Sequence, residues 1–137
     1  MATGVTSAEG DKSEKITVNL GVVDLGQIDL LVEEGFYANR TDFIRSAIRA
    51  TLATRADALD RSAARRTLTL GSCHYNRRDL EQLRDAGQVI HIRVLGLATL
   101  ADDIGPELAL ATIGSVEVLG AFRATRAVKA ALAARTN

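Results

Sequence analysis

Lys15-Ile16-Thr17-Val18-Asn19-Leu20 alternates polar and apolar residues without a break. Side chains on an extended strand point alternately to its two faces. This spacing therefore predicts a strand that buries Ile16, Val18 and Leu20 and turns Lys15, Thr17 and Asn19 outward as a row of hydrogen-bonding groups. Helical patterns follow at once, and no second strand lies nearby in the sequence. An isolated strand with one apolar face is not stable in water. The simplest partner is the same strand of a second copy related by a two-fold axis, which makes an antiparallel two-stranded ribbon above four helices.

Beyond Gly21 the apolar residues fall at Leu25, Ile28, Leu31 and Val32, the period of a helix running from about Asp24 to Glu34. Asp24 is the expected N-cap, with Gln27 completing a capping box. Gly35 supplies the left-handed residue that ends many helices, and Gly26 inside the helix weakens it by roughly 1 kcal/mol relative to alanine. Asn39-Arg40-Thr41-Asp42 is the next start signal, with Thr41 as N-cap and Asp42 favourable in the first turn. Phe43, Ile44, Ala47, Ile48, Thr51 and Leu52 keep the helical period, and no breaker occurs before Arg66. One long helix, or a helix and an extension, is expected.

In this order of strand and helices the chain resembles the ribbon-helix-helix family of bacterial DNA-binding proteins. The resemblance rests on the strand Lys15 to Leu20, the first-helix ending Glu33-Glu34-Gly35, and Tyr37-Ala38-Asn39-Arg40-Thr41-Asp42-Phe43-Ile44 opening the second helix. It covers about Glu14 to Leu52, the N-terminal third. It implies a homodimer whose ribbon enters the major groove of double-stranded DNA, with Lys15, Thr17 and Asn19 of each copy facing the bases. The chemistry of these side chains agrees, since lysine donates to guanine, asparagine pairs with adenine through two hydrogen bonds, and threonine offers a hydroxyl and a methyl. The resemblance also implies that the start of the second helix grips the DNA backbone, with Asn39, Arg40 and Thr41 as the phosphate contacts. Gly21 and Gly26 depart from the family's usual first-helix start.

Composition bounds the remaining possibilities. The chain has 137 residues, 47% of them hydrophobic and 25% charged, as in globular proteins. Seventeen basic residues balance seventeen acidic ones, so DNA contact has to come from local placement, not from a global positive field. A single cysteine, Cys73, excludes an intrachain disulfide framework. No long apolar run and no signal-peptide pattern occurs, so a cytoplasmic protein without a membrane contact is expected.

Four segments follow from these patterns: a flexible arm over residues 1–13, a ribbon-helix-helix unit over 14–53, a helical spacer over 54–66 and a C-terminal domain over 67–137. In the spacer, alanine and charged residues dominate and Leu59 is the only large apolar residue. The C-terminal part carries a degenerate repeat. An offset of 24 residues aligns Ile92-Arg93-Val94-Leu95-Gly96 with Val116-Glu117-Val118-Leu119-Gly120, Ile104 with Val128 and Leu108 with Leu132. A fainter copy begins at Leu68-Thr69-Leu70, with Leu80 at the position of Ile104. Each copy reads as a strand, a glycine turn and a return segment. Units this small bury their apolar faces only by stacking with roughly parallel strands. The return segments are expected as a helix from Asn76 to Ala86 with Asn76 as cap, a short helix opened by Pro106, and a helix over Ala124 to Arg135. A compact domain without true repeats accounts for the same residues. The fold class is therefore α+β: an N-terminal ribbon-helix-helix unit followed by a small α/β domain.

Chemistry other than binding finds little support. Cys73, His74 and His91 prompt comparison with the nickel-responsive regulator, which also joins a ribbon-helix-helix unit to a C-terminal ligand domain. That regulator uses three histidines and a cysteine, whereas this chain has two histidines in all. Adjacent residues on a strand face opposite ways, so Cys73 and His74 make a poor chelate, and neither a metal nor another cofactor is expected. No nucleophile stands beside a base, Asp102-Asp103 reads as a turn and cap before Gly105-Pro106, and Arg77-Arg78 as a solvated helix start; no enzyme is expected. The expectation is a sequence-specific transcriptional regulator whose C-terminal domain mediates oligomerisation to tetramers or beyond, or binds a partner. The alternatives are an antitoxin, whose toxin-binding segment is short and unfolded when free, and a self-assembling structural protein.

Overall fold

The computed structural model describes residues 12–137; the expected N-terminal arm lies, up to Asp11, outside the described residues. The helices are α1 (Val22–Glu33), α2 (Arg40–Thr54), α3 (Ala56–Arg65), α4 (Arg77–Asp85), α5 (Pro106–Thr112) and α6 (Arg126–Ala131). The strands are β1 (Thr69–Tyr75), β2 (Ile90–Leu100) and β3 (Ile113–Arg123), and a 3₁₀ turn spans Ala133–Arg135. The chain divides into two compact units, Ser13–Ser62 and Ala63–Asn137, with the division inside α3.

In the first unit α1 begins two residues before the expected Asp24. Gly21, extended at φ −63 and ψ 147, is the N-cap and makes no side-chain cap bond, so the Asp24 and Gln27 capping box does not form. Asp24 lies instead in the first turn, where its charge suits the helix dipole. At the other end Gly35 adopts φ 87, and its N–H and that of Phe36 return to the carbonyls of Val32 and Leu31, as expected of a left-handed glycine cap. The second helix stops at Thr54 and resumes at Ala56, because Arg55 leaves helical geometry at φ −111 and ψ 12. Ile28 is the only large apolar side chain of this unit that a single copy buries among the described residues.

The second unit is a three-stranded parallel sheet in the order β1-β2-β3. Helices α4, α5 and α6 are the connections and the return after β3, and they pack side by side. Their residues Leu80, Leu108, Ala109 and Val128 meet Ile92, Val94, Leu100, Ile113 and Val116 in one buried core. Asn76 caps α4 as expected and forms a capping box with Asp79, while Pro106 opens a helix of only seven residues.

The strand register is informative. β2 and β3 pair Ile92 with Val116, Val94 with Val118 and Gly96 with Gly120, an offset of 24 residues. β1 and β2 pair Leu70 with Leu95 and Gly71 with Gly96, an offset of 25, so each β2 residue meets a β1 residue one position earlier than the 24-residue alignment places it. A one-residue slip exchanges the two faces of a strand. Cys73 and Tyr75 accordingly pack against the core, and Leu70 faces solvent.

Between α3 and β1, Thr67 is the only described non-glycine residue with positive φ, at 57. The N–H groups of Thr67 and Leu68 bond the carbonyls of Ala64 and Ala63, which is the hydrogen-bond pattern of a helix ending in a left-handed residue. A side chain in that conformation costs about 1 kcal/mol or more. Thr67→Gly is expected to raise the midpoint of thermal unfolding by a few degrees, as calorimetry would show; an unchanged or lowered midpoint would mean that the threonine side chain compensates the backbone cost.

Candidate nucleic-acid interface

Residues 12–21 carry no regular secondary structure and take part in no β-ladder among the described residues. Lys15, Thr17 and Asn19 are exposed. So is the face expected to be buried: Ile16 is 75% exposed, Val18 66% and Leu20 44%. Val22, Val23, Leu30, Ile48 and Leu52 of α1 and α2 add further apolar surface. A lone copy thus leaves unsatisfied the segment that the alternating pattern marks for pairing.

At the start of α2 the N-cap is Asn39, not Thr41. The Asn39 side-chain oxygen accepts from the Asp42 N–H at 2.8 Å, and the Asp42 carboxylate accepts from the Ala38 N–H at 2.9 Å. This reciprocal pair fixes the entry of the chain two residues earlier than a threonine cap would, and Thr41 becomes an exposed first-turn residue. The Tyr37 ring meets Phe43 edge-on, with centroids 5.0 Å apart and planes at 85°, which braces the same turn.

Arg40 does not project freely. Its guanidinium donates two hydrogen bonds to Asp29 of α1, at 2.8 and 2.9 Å. The hydrogen bond from Arg40 holds the Asp29 carboxyl below its ordinary pKa and raises that of Arg40. Whatever this solvent-accessible pair contributes is therefore present above the ordinary carboxylate pKa and is lost as pH falls through the lowered value. Asp29 was not visible as a site residue in the sequence, since no spacing rule links opposite charges on two successive helices.

In the second unit, Cys73 and His74 are neighbours on β1, and His91 on β2 lies 2.8 Å from the Ser115 hydroxyl through Nδ1. Burial pushes the Cys73 thiol pKa up, which disfavours the thiolate that a metal would need. No group of three or more metal-ligating side chains is present among the described residues. No helix among them is long and apolar enough to cross a membrane.

An unpaired amphipathic segment joined to two capped helices is what one copy of a ribbon-helix-helix unit presents. A family model described as the Ribbon-Helix-Helix transcriptional regulator family matches residues 11–129, and the chain belongs to that family. The match reaches far beyond Glu14 to Leu52, so the resemblance confined to the N-terminal third was too narrow: the parallel sheet is part of what the family model describes. No curated protein and no solved structure matches the chain.

Proposed function

We propose that this protein is a homodimeric, sequence-specific DNA-binding regulator that acts by binding and not by catalysis. Residues 15–20 of two copies pair antiparallel, bury Ile16, Val18 and Leu20 against the helices and present Lys15, Thr17 and Asn19 to the major groove. The observation that carries this reading is the exposure of all three apolar residues of that segment in a single copy. Asn39, Arg40 and Thr41 lie at the start of α2, where backbone N–H groups favour a phosphate. Arg40 reaches DNA either by keeping its pair with Asp29 and offering its remaining donors, or by exchanging Asp29 for phosphate. The folded sheet of β1, β2 and β3 supports a regulator over an antitoxin with a short unfolded tail.

Mobility shifts on the DNA upstream of the protein's own coding region test the reading. Lys15→Ala and Asn19→Ala should each lose about 1–3 kcal/mol of discrimination between that DNA and random sequence. Wild-type binding should also weaken steeply with salt, because each phosphate contact releases counterions. Equal binding of wild type and both variants to native and random DNA would overturn the assignment of these residues to base reading.

A further inference from the structure

The three strands share a corner that one end of the sheet leaves incomplete. Gly71, Gly96 and Gly120 are ladder partners, and all three lie at strongly positive φ, at 125, 143 and 125. Two of them have a local reason. A Cβ on Gly96 would sit 2.0 Å from the Gly71 carbonyl oxygen, and one on Gly120 would sit 2.1 Å from that of Gly96. Each strand's glycine carbonyl therefore abuts the glycine of the strand after it. Gly71 adopts the same conformation with nothing within 4 Å of a Cβ built on it. The corner is shaped for a preceding carbonyl that a single copy does not supply.

The residue before each glycine is a leucine, and Leu70, Leu95 and Leu119 form a row across the outer face. The two ends of this row are open, with Leu70 76% and Leu119 43% exposed. β1 carries no lysine, glutamate or proline, the residues that ordinarily guard an edge strand. On the far edge the chain's own tail covers only the start of β3: Thr136 bridges Val116, and the Asn137 N–H bonds the Val116 carbonyl. β1 likewise pairs with β2 only from Val94 onward, the partner of Val118. A β1 strand added to β3 in the same register would begin just past the tail.

We propose that these edges are two halves of one contact. β1 of one copy adds in parallel to Val118–Arg123 of the next, setting Gly71 over the Gly120 carbonyl and Leu70 beside Leu119, so that the sheet continues from chain to chain. The occupant is a second copy because register, glycine corner and leucine row all repeat the contacts already made between β1 and β2. β1 carries no formal charge and Val118–Arg123 carries one, Arg123 at its end, so no like charges face each other across it. The contact is head-to-tail and does not close on itself, so it builds rows rather than pairs. A seven-residue edge buries less than the roughly 1,000 Å² of a stable specific interface, so single contacts are weak and rows form at high local concentration. The contact goes beyond the DNA-binding reading and does not depend on the ribbon.

Sedimentation velocity of the full chain, from micromolar to near-millimolar protein, tests it. The wild-type mass should grow continuously with concentration. Leu70→Arg and Leu119→Glu, both at exposed positions, should each abolish that growth while circular dichroism stays unchanged. An equal mixture of the two variants should restore it, since in a row that alternates the two every contact is either the native pair or an arginine-glutamate pair. Ser72→Lys, at an exposed β1 position whose backbone any residue can adopt, supplies a third block in case either variant perturbs folding. A wild type of constant mass overturns the contact: a constant dimer leaves the ribbon reading standing, and a constant monomer removes that as well. Loss of growth in Leu70→Arg but not in Leu119→Glu overturns the head-to-tail arrangement and assigns the β1 edge another occupant.

Discussion

Gly96→Ala is expected to unfold the parallel sheet. The new methyl would lie 2.0 Å from the Gly71 carbonyl oxygen, part of a paired strand that cannot swing aside, and the residue would have to hold φ at 143. Backbone strain and overpacking each cost about 1–3 kcal/mol in such sites, so together they remove much of the ~5–15 kcal/mol that keeps a domain folded. Thermal unfolding followed by circular dichroism should show the sheet's transition lowered by many degrees or absent. Gly26→Ala is the matched control. It sits in α1 with nothing within 4 Å of the added carbon, and the helix should gain about 0.5–1 kcal/mol. If Gly96→Ala melts like wild type, the stacked corner is not what holds β1, β2 and β3 in register.

Val18→Asp should have the second large effect, on association. In one copy Val18 is exposed and the aspartate is harmless; in a ribbon two aspartates would be buried near the dimer axis. An uncompensated buried charge costs about 3–5 kcal/mol, and every 1.4 kcal/mol is a factor of ten in an equilibrium constant. Dimerisation measured by sedimentation equilibrium should therefore weaken more than a hundredfold, and DNA binding should fall with it. Thr17→Asp, one residue away on the opposite face, should spare the dimer and lose DNA. Equal loss of association in both variants would mean that the segment does not have two distinct faces.

Part of this fold is legible in the amino-acid sequence. The alternation of Lys15 to Leu20 was plain because a two-residue period needs only six positions, and the lack of a neighbouring strand turned it into an argument for a second copy. Helix bodies were legible from their periods, but their starts were not. Asn39 and Thr41 are both good caps, and the choice fell to Asp42, whose carboxylate reaches back to Ala38. The pairing of Ile92 with Val116 followed from the 24-residue alignment, whereas β1 was misplaced by one residue. The Leu-Gly dipeptides at 70–71, 95–96 and 119–120 carried the correct register, since all three glycines take the positive φ that side chains disfavour and two of them, Gly96 and Gly120, also lack room for a Cβ. The Arg40 and Asp29 pair left no trace in the sequence, because it depends on how α1 and α2 meet.

The central claim, that residues 15–20 form a two-fold ribbon whose polar face meets DNA, is tested most directly by spin labels at Thr17→Cys in a chain carrying Cys73→Ser. Antiparallel pairing over six residues keeps position 17 within a few residues of the axis at ~3.4 Å each, so the two labels should couple at distances below about 20 Å. Adding DNA from upstream of the coding region should immobilise them. A dimer without dipolar coupling, or labels that stay equally mobile in the DNA complex, would contradict the account.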